Sequence, residues 1–126
     1  MASRRIVLDS NVLIDALAYR TETHAFLSGI SPQPWCSEIS RVELLRGVHD
    51  VDRPTAEALF QGILWLPVDE AIARQAGELG RRWGRARARI SAADLVIAAT
   101  TLALDARLAT SNVRHFPMFP DLQPPY

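Results

Sequence analysis

Four short apolar runs, RIVLD at residues 5–9, PWCS at 34–37, ILWLPV at 63–68 and RLAT at 107–110, are separated by stretches with helical spacing. This alternation constrains the fold more than any other feature of the chain. Strands joined through helices come out parallel, because a helical crossover carries the chain back to the edge it left. A parallel sheet hides both faces, so its strands are apolar throughout rather than alternating. The expected architecture is α/β, with helices on both sides of a parallel sheet.

Local signals place the helices. Asp9 or Ser10 caps a first helix that carries Val12, Leu13, Ala16 and Leu17 on one face. A second helix runs to about Ser28, where Gly29, Ser31, Pro32 and Pro34 stop it. Ser40-Arg41-Val42-Glu43 has the form of a capping box at the head of a helix ending at Gly47. Pro54 suits the first turn of the next helix, which runs to about Gly62, and Asp69 caps a long one reaching about Arg87. Ser91-Ala92-Ala93-Asp94 is a second capping box. It opens DLVIAATTLAL, apolar on nearly every side and therefore expected to be central and buried. TSNVRHF reads as a loop with a short helical turn, and PMFPDLQPPY as a proline-rich tail.

At 126 residues the chain is expected to be one domain, 1–126, able to bury a core without a disulfide. The lone Cys36 can form no internal bridge, and no Cys/His cluster points to zinc. The N-terminal MASRRIVLDSNVLIDALA superficially has signal-peptide character, but Asp9, Asn11 and Asp15 interrupt it. No run approaches the roughly 20 apolar residues that span a bilayer. A cytoplasmic protein that keeps its N-terminus and touches no membrane is expected.

Net charge is zero, so attraction to nucleic acid must come from a local patch. Arg81, Arg82, Arg85, Arg87 and Arg89 supply one, and all 14 basic residues are Arg, whose planar fork suits phosphate. The alternative is a solvated helix face, supported by Glu70/Arg74 and Glu78/Arg82 at i,i+4 spacing.

Asp9, Glu43, Asp94 and Asn112 all fall at element ends on the predicted carboxyl edge of the sheet, the edge where such folds bind ligands. Each has an ordinary role: Asp9 as a helix cap, Glu43 and Asp94 as third residues of capping boxes, Asn112 as a turn former. Together they form an oxygen-rich set suited to a hard divalent cation, because clustered carboxylates repel unless a cation or proton neutralises them. Asp15, six residues after Asp9 and on the same first helix, is a further candidate, against a solvated or hydrogen-bonded position.

IVLDSNVLIDAL, SEISRVELLRG, ISAADLVIAATTLAL and LATSNVRHF, taken in that order, resemble a PIN domain, specifically a VapC-type toxin of the VapBC toxin–antitoxin systems. The resemblance implies a PIN-like three-layer α/β/α sandwich with a short, mostly parallel sheet of four to five strands. It implies a Mg²⁺- or Mn²⁺-dependent endoribonuclease with Asp9, Glu43, Asp94 and Asn112 as its catalytic set and Asp9 and Asp94 on the metal. The fullest family pattern has Asp where Asn112 stands, so one metal is favoured over two. His115 and the arginines Arg85, Arg87 and Arg89 are expected to meet the RNA, with Ser10, Asn11 and Thr110 orienting carboxylates or water.

A VapB-type antitoxin and a homodimer are the implied partners. Val12, Leu45, Phe60 and Leu64 are candidates for the groove or dimer face, against ordinary core. A phosphoacceptor receiver domain is disfavoured because the chain has no lysine. A catalytically silent PIN-like module that binds RNA or protein is the alternative function, and a DNA-directed nuclease differs only in substrate.

Overall fold

A computed structural model describes residues 4–84 and 90–126. Four strands, β1 (Ile6–Leu8), β2 (Trp35–Ser37), β3 (Leu64–Leu66) and β4 (Arg107–Ala109), form a wholly parallel sheet in the order β3-β2-β1-β4. Six helices accompany them among the described residues: α1 (Ser10–Leu17), α2 (Thr21–Ser28), α3 (Glu38–Gly47), α4 (Arg53–Gln61), α5 (Glu70–Trp83) and α6 (Ala92–Ala103). Each strand is only three residues long.

Strand alternation sorts the core into two layers, one on each face of the sheet. Val7 and Leu108 point to one side, where Ile72, Ala76 and Leu79 of α5, Ile97–Ala99 of α6 and Phe116 pack against them. Leu8, Cys36 and Ala109 point to the other, against Val12 and Leu13 of α1, Leu44 of α3, and Ala56 and Phe60 of α4. The register fits: Val7 lies beside Leu108, and Leu8 beside Ala109. Successive residues therefore serve opposite layers, and continuous apolar runs are what a doubly covered sheet requires.

α6 is buried from Ile97 through Thr101, as its uniform apolarity predicts, while Leu102 is nearly half exposed. Its two buried threonines are tolerated because their hydroxyls donate back one turn, Thr100 Oγ1 to Val96 O (2.8 Å) and Thr101 Oγ1 to Ile97 O (2.9 Å). α5 approaches α6 closely at Gly80, where a Cβ would stand 3.0 Å from Leu95 Cδ1.

Several expectations change. The helix carrying Glu43 starts three residues before the predicted box: Ser37 caps it, accepting from Ile39 N at 3.1 Å, because β2 runs straight into α3. Glu43 thus lies in the second turn rather than the first. Val12 and Phe60 are buried, which bears out the ordinary-core alternative over a groove or dimer face, while Leu45 and Leu64 are half-buried. Asp15 stands in the hydrogen-bonded position that was the alternative to a site role: its Oδ2 accepts from Tyr126 Oη at 2.5 Å and pairs with Arg20 at 3.2 Å. α5 has its C-cap at Gly84.

Among the described residues Phe116 is the largest fully buried side chain, and it closes the α5–α6 layer. Phe116→Ala should cost about 3–5 kcal/mol of unfolding free energy. Urea denaturation checks this, and an unmoved midpoint would mean that the layer is not packed as described.

Candidate active site

The strand order reverses between β1 and β4. β1, β2 and β3 run outward in sequence, and the chain then returns to place β4 on the opposite side of β1. At such a reversal the connections leave in opposite directions and open a crevice beyond the strand ends. Asp9 follows β1 and Thr110 follows β4, held level by the pairing of Leu8 with Ala109 and by Asp9 N donating to Ala109 O (2.9 Å).

Asp9 is only 5% exposed. Its Oδ1 accepts from Ser10 N at 2.7 Å, capping α1, and its Oδ2 accepts from Thr110 Oγ1 at 2.7 Å. Thr110 in turn accepts from Asn112 N at 2.9 Å and faces Asn11 Nδ2 at 3.4 Å. Burial raises the Asp9 pKa above its ordinary value; the bonds from Thr110 and Ser10 work against this, and the carboxylates of Asp94 and Glu43 add to it. Three carboxylates from three separate elements therefore share one electrostatic neighbourhood.

Asp94 occupies the third position of a complete capping box: Asp94 N donates to Ser91 Oγ (3.0 Å) and Ser91 N to Asp94 Oδ2 (3.4 Å). The box aims its carboxylate toward the strand ends, where Asp94 Oδ2 also lies 3.2 Å from His115 Nδ1. Glu43 is held from α1, its Oε1 accepting from Ser10 Oγ at 2.5 Å. Asn112 stands at the rim and is engaged through its backbone N–H, with its side chain exposed. Arg85, Arg87 and Arg89 lie outside the described residues, while Arg81 and Arg82 are exposed in the last turn of α5.

Ser40 is the residue that sequence reasoning misplaced. Read there as a helix cap, it is a fully buried neighbour of Ser10, with the two hydroxyl oxygens 2.9 Å apart. The available signal was its spacing, three residues before Glu43 and so on the same helical face.

Among the described residues no group of three or more His, Cys, Asp and Glu side chains is arranged to hold a metal ion by itself. Mg²⁺ does not need one: it binds through one or two carboxylates and keeps several waters or substrate oxygens. Asp9 and Asp94 supply hard oxygen ligands of the right charge. Asn11 Oδ1, buried without a hydrogen-bond partner, is an acceptor oxygen left over next to Thr110. The donor set fits a hydrated divalent cation.

Residues 6–119 match the family model described as PIN domain. The chain belongs to the PIN domain family. This PIN domain is 41% identical over 123 residues to Ribonuclease VapC19 of Mycobacterium tuberculosis, covering 95% of this chain and 98% of that protein. Its fold is similar to a toxin–antitoxin complex from Klebsiella pneumoniae (TM-score 0.81, 25% identity, 96% of this chain and 98% of that one). It is also similar to VapBC-1 from nontypeable Haemophilus influenzae (TM-score 0.75, 26% identity, 94% of each chain). The resemblance carried by the four sequence motifs is thus borne out for family and fold. No helix among the described residues is long and apolar enough to cross a membrane.

A carboxylate whose folded pKa is raised is a liability when ionised. The folded state binds the Asp9 proton more tightly than the unfolded state, so stability falls as pH rises from the ordinary carboxylate value through the raised one. Asp9→Asn should therefore raise the thermal midpoint of the cation-free PIN domain at pH 7 by about 3 °C. The gain should vanish near pH 3, where both forms are neutral. Added Mg²⁺ should stabilise the wild type and not the variant. Scanning calorimetry at the two pH values checks this; a lower midpoint for the variant at pH 7 would contradict it.

Proposed function

We propose that this PIN domain is a metal-dependent endoribonuclease, the toxin of a VapBC-type toxin–antitoxin pair. The observation that carries the reading is the convergence of Asp9, Glu43 and Asp94 on the crevice between β1 and β4, with burial and mutual repulsion raising the Asp9 pKa. A site that concentrates negative charge at a structural cost is suited to a cation. The named relative, a ribonuclease 41% identical over nearly the full chain, supports RNA as the substrate.

Asp9 and Asp94 would hold Mg²⁺ or Mn²⁺ directly. When bound, the cation would supply Lewis-acid stabilisation of the charged phosphate and a water of lowered pKa. Thr110 and the α1 N-terminus fix the Asp9 carboxylate, and the capping box fixes that of Asp94. Glu43 accepts a proton from the attacking water or anchors a water of the cation. The new bond forms from water oxygen to phosphorus as the P–O3′ bond breaks in line, and O3′ leaves with a proton. The products carry a 5′-phosphate and a 3′-hydroxyl.

His115, 46% exposed and beside Asp94, is placed to meet a phosphate oxygen. Arg81 and Arg82, with the sequence-adjacent Arg85, Arg87 and Arg89, are assigned to the RNA backbone, and affinity should fall as salt rises. Asn112 adds a neutral oxygen at the rim, which favours a single cation. A VapB-type antitoxin is the assigned inhibitor, supported by the toxin–antitoxin complexes among the similar structures, and the family resemblance suggests a homodimer as the working form.

Asp94→Asn keeps the Ser91 capping interactions and removes the charge. It should lower RNA cleavage by at least about 100-fold, with far-ultraviolet circular dichroism unchanged. EDTA should abolish wild-type cleavage, and excess Mg²⁺ or Mn²⁺ should restore it. Gel analysis of end-labelled RNA decides: cleavage that survives both the substitution and the chelator would remove the metal-nuclease reading.

A further inference from the structure

The Ser10, Ser40 and Glu43 side chains form a chain of contacts running from the interior to the crevice. Ser40 is completely buried on α3, one helical turn from Glu43, and Ser10 is almost completely buried at the start of α1. Ser10 Oγ lies 2.9 Å from Ser40 Oγ and 2.5 Å from Glu43 Oε1. A hydroxyl has one proton to give, and an ionised carboxylate can only accept. The Ser10 proton therefore goes to Glu43, and the Ser40 hydroxyl donates to Ser10 Oγ. The direction of the relay follows from this count: Ser40 to Ser10 to Glu43.

We infer that Ser10 and Ser40 are positioning residues that hold the Glu43 carboxylate in one orientation at the edge of the Asp9–Asp94 crevice. A glutamate in the second turn of a helix has three rotatable side-chain bonds, and it can serve an attacking water only from one arrangement. The charge-assisted bond from Ser10 selects that arrangement, and the buried Ser40 fixes the Ser10 rotamer in turn. Because Ser10 follows Asp9 directly, the N-terminus of α1 aligns both carboxylates: its backbone N–H holds Asp9 and its hydroxyl holds Glu43. The inference rests on Glu43 serving the cleavage assigned above.

Two measurements test it on the full chain. In steady-state cleavage of an RNA oligonucleotide, Ser10→Ala should lower kcat roughly 10- to 100-fold with KM little changed. Ser40→Ala should lower it less, and Ser10→Thr should restore most of it. In a Glu43→Gln background, Ser10→Ala should cause no further loss, since Ser10 acts only through that carboxylate. Independently of cleavage, the carboxylate carbon of Glu43 can be followed by ¹³C NMR in metal-free protein, assigned by its loss in Glu43→Gln. It should shift in both alanine variants and return in Ser10→Thr.

An unmoved Glu43 resonance, or an equal loss of kcat in the Glu43→Gln background, overturns the inference. If Ser10→Ala fails to fold, Ser40→Ala carries both readouts. If the wild-type chain cleaves no RNA, the nuclease reading falls, and the NMR measurement still decides whether the relay holds Glu43.

Discussion

The hydrogen bond from Thr110 to Asp9 joins residues 101 positions apart, and the rest of the site is arranged around it. It spans the one place where the strand order reverses, between β1 and β4. Without the parallel pairing that sets Leu8 beside Ala109, the two side chains would not be level. Without the α/β layering that buries both faces of the sheet, the crevice beyond those strand ends would have no walls. A three-residue strand contributes little by itself, so the pairing depends on the two apolar layers that clamp it, one closed by Phe116 and the other by Phe60.

Capping and chemistry coincide at this edge. Asp9 caps α1, and Asp94 completes the box that opens α6. In a parallel α/β fold each helix that follows a strand begins at the carboxyl edge, so a carboxylate placed for capping is also placed beside the crevice. The ordinary and functional readings of these residues are therefore compatible. What separates a site from a set of caps is the cost: Asp9 is buried among like charges that oppose its ionisation, and a cap alone would sit more stably in solvent. A cation is the natural compensation, and hydrogen-bonded neighbours such as Thr110 and Ser10 keep the carboxylates from relaxing apart.

Features set by nearest neighbours in the chain were legible. The strand runs, the Pro54 helix start, the Asp69 cap and the Ser91–Asp94 box all appear where short-range chemistry places them. Glu43 shows the limit of that logic: Ser40 has the residue type and spacing of a cap, but β2 runs directly into α3 and Ser37 takes the role. Asp15 had the acidity and proximity of a site residue, yet the phenol of Tyr126, 111 residues away, engages it. Val12 and Phe60 take the ordinary-core alternative, and the choice between core and groove rests on the second core layer. For Asp15 and the core residues the deciding contacts are long-range and leave no periodic trace, whereas the α3 cap turns on where β2 ends. Placement at one sheet edge grouped Asp9, Glu43 and Asp94, and family resemblance added the catalytic roles expected of them.

Asp9 and Asp94 are proposed to hold one divalent cation at the β1–β4 reversal. Anomalous diffraction from Mn²⁺-soaked crystals of the wild-type chain tests it most directly. One strong peak is expected between the Asp9 and Asp94 carboxylates, absent from Asp94→Asn crystals treated alike. A map with no peak there, in crystals of a protein whose RNA cleavage requires Mn²⁺, would contradict it.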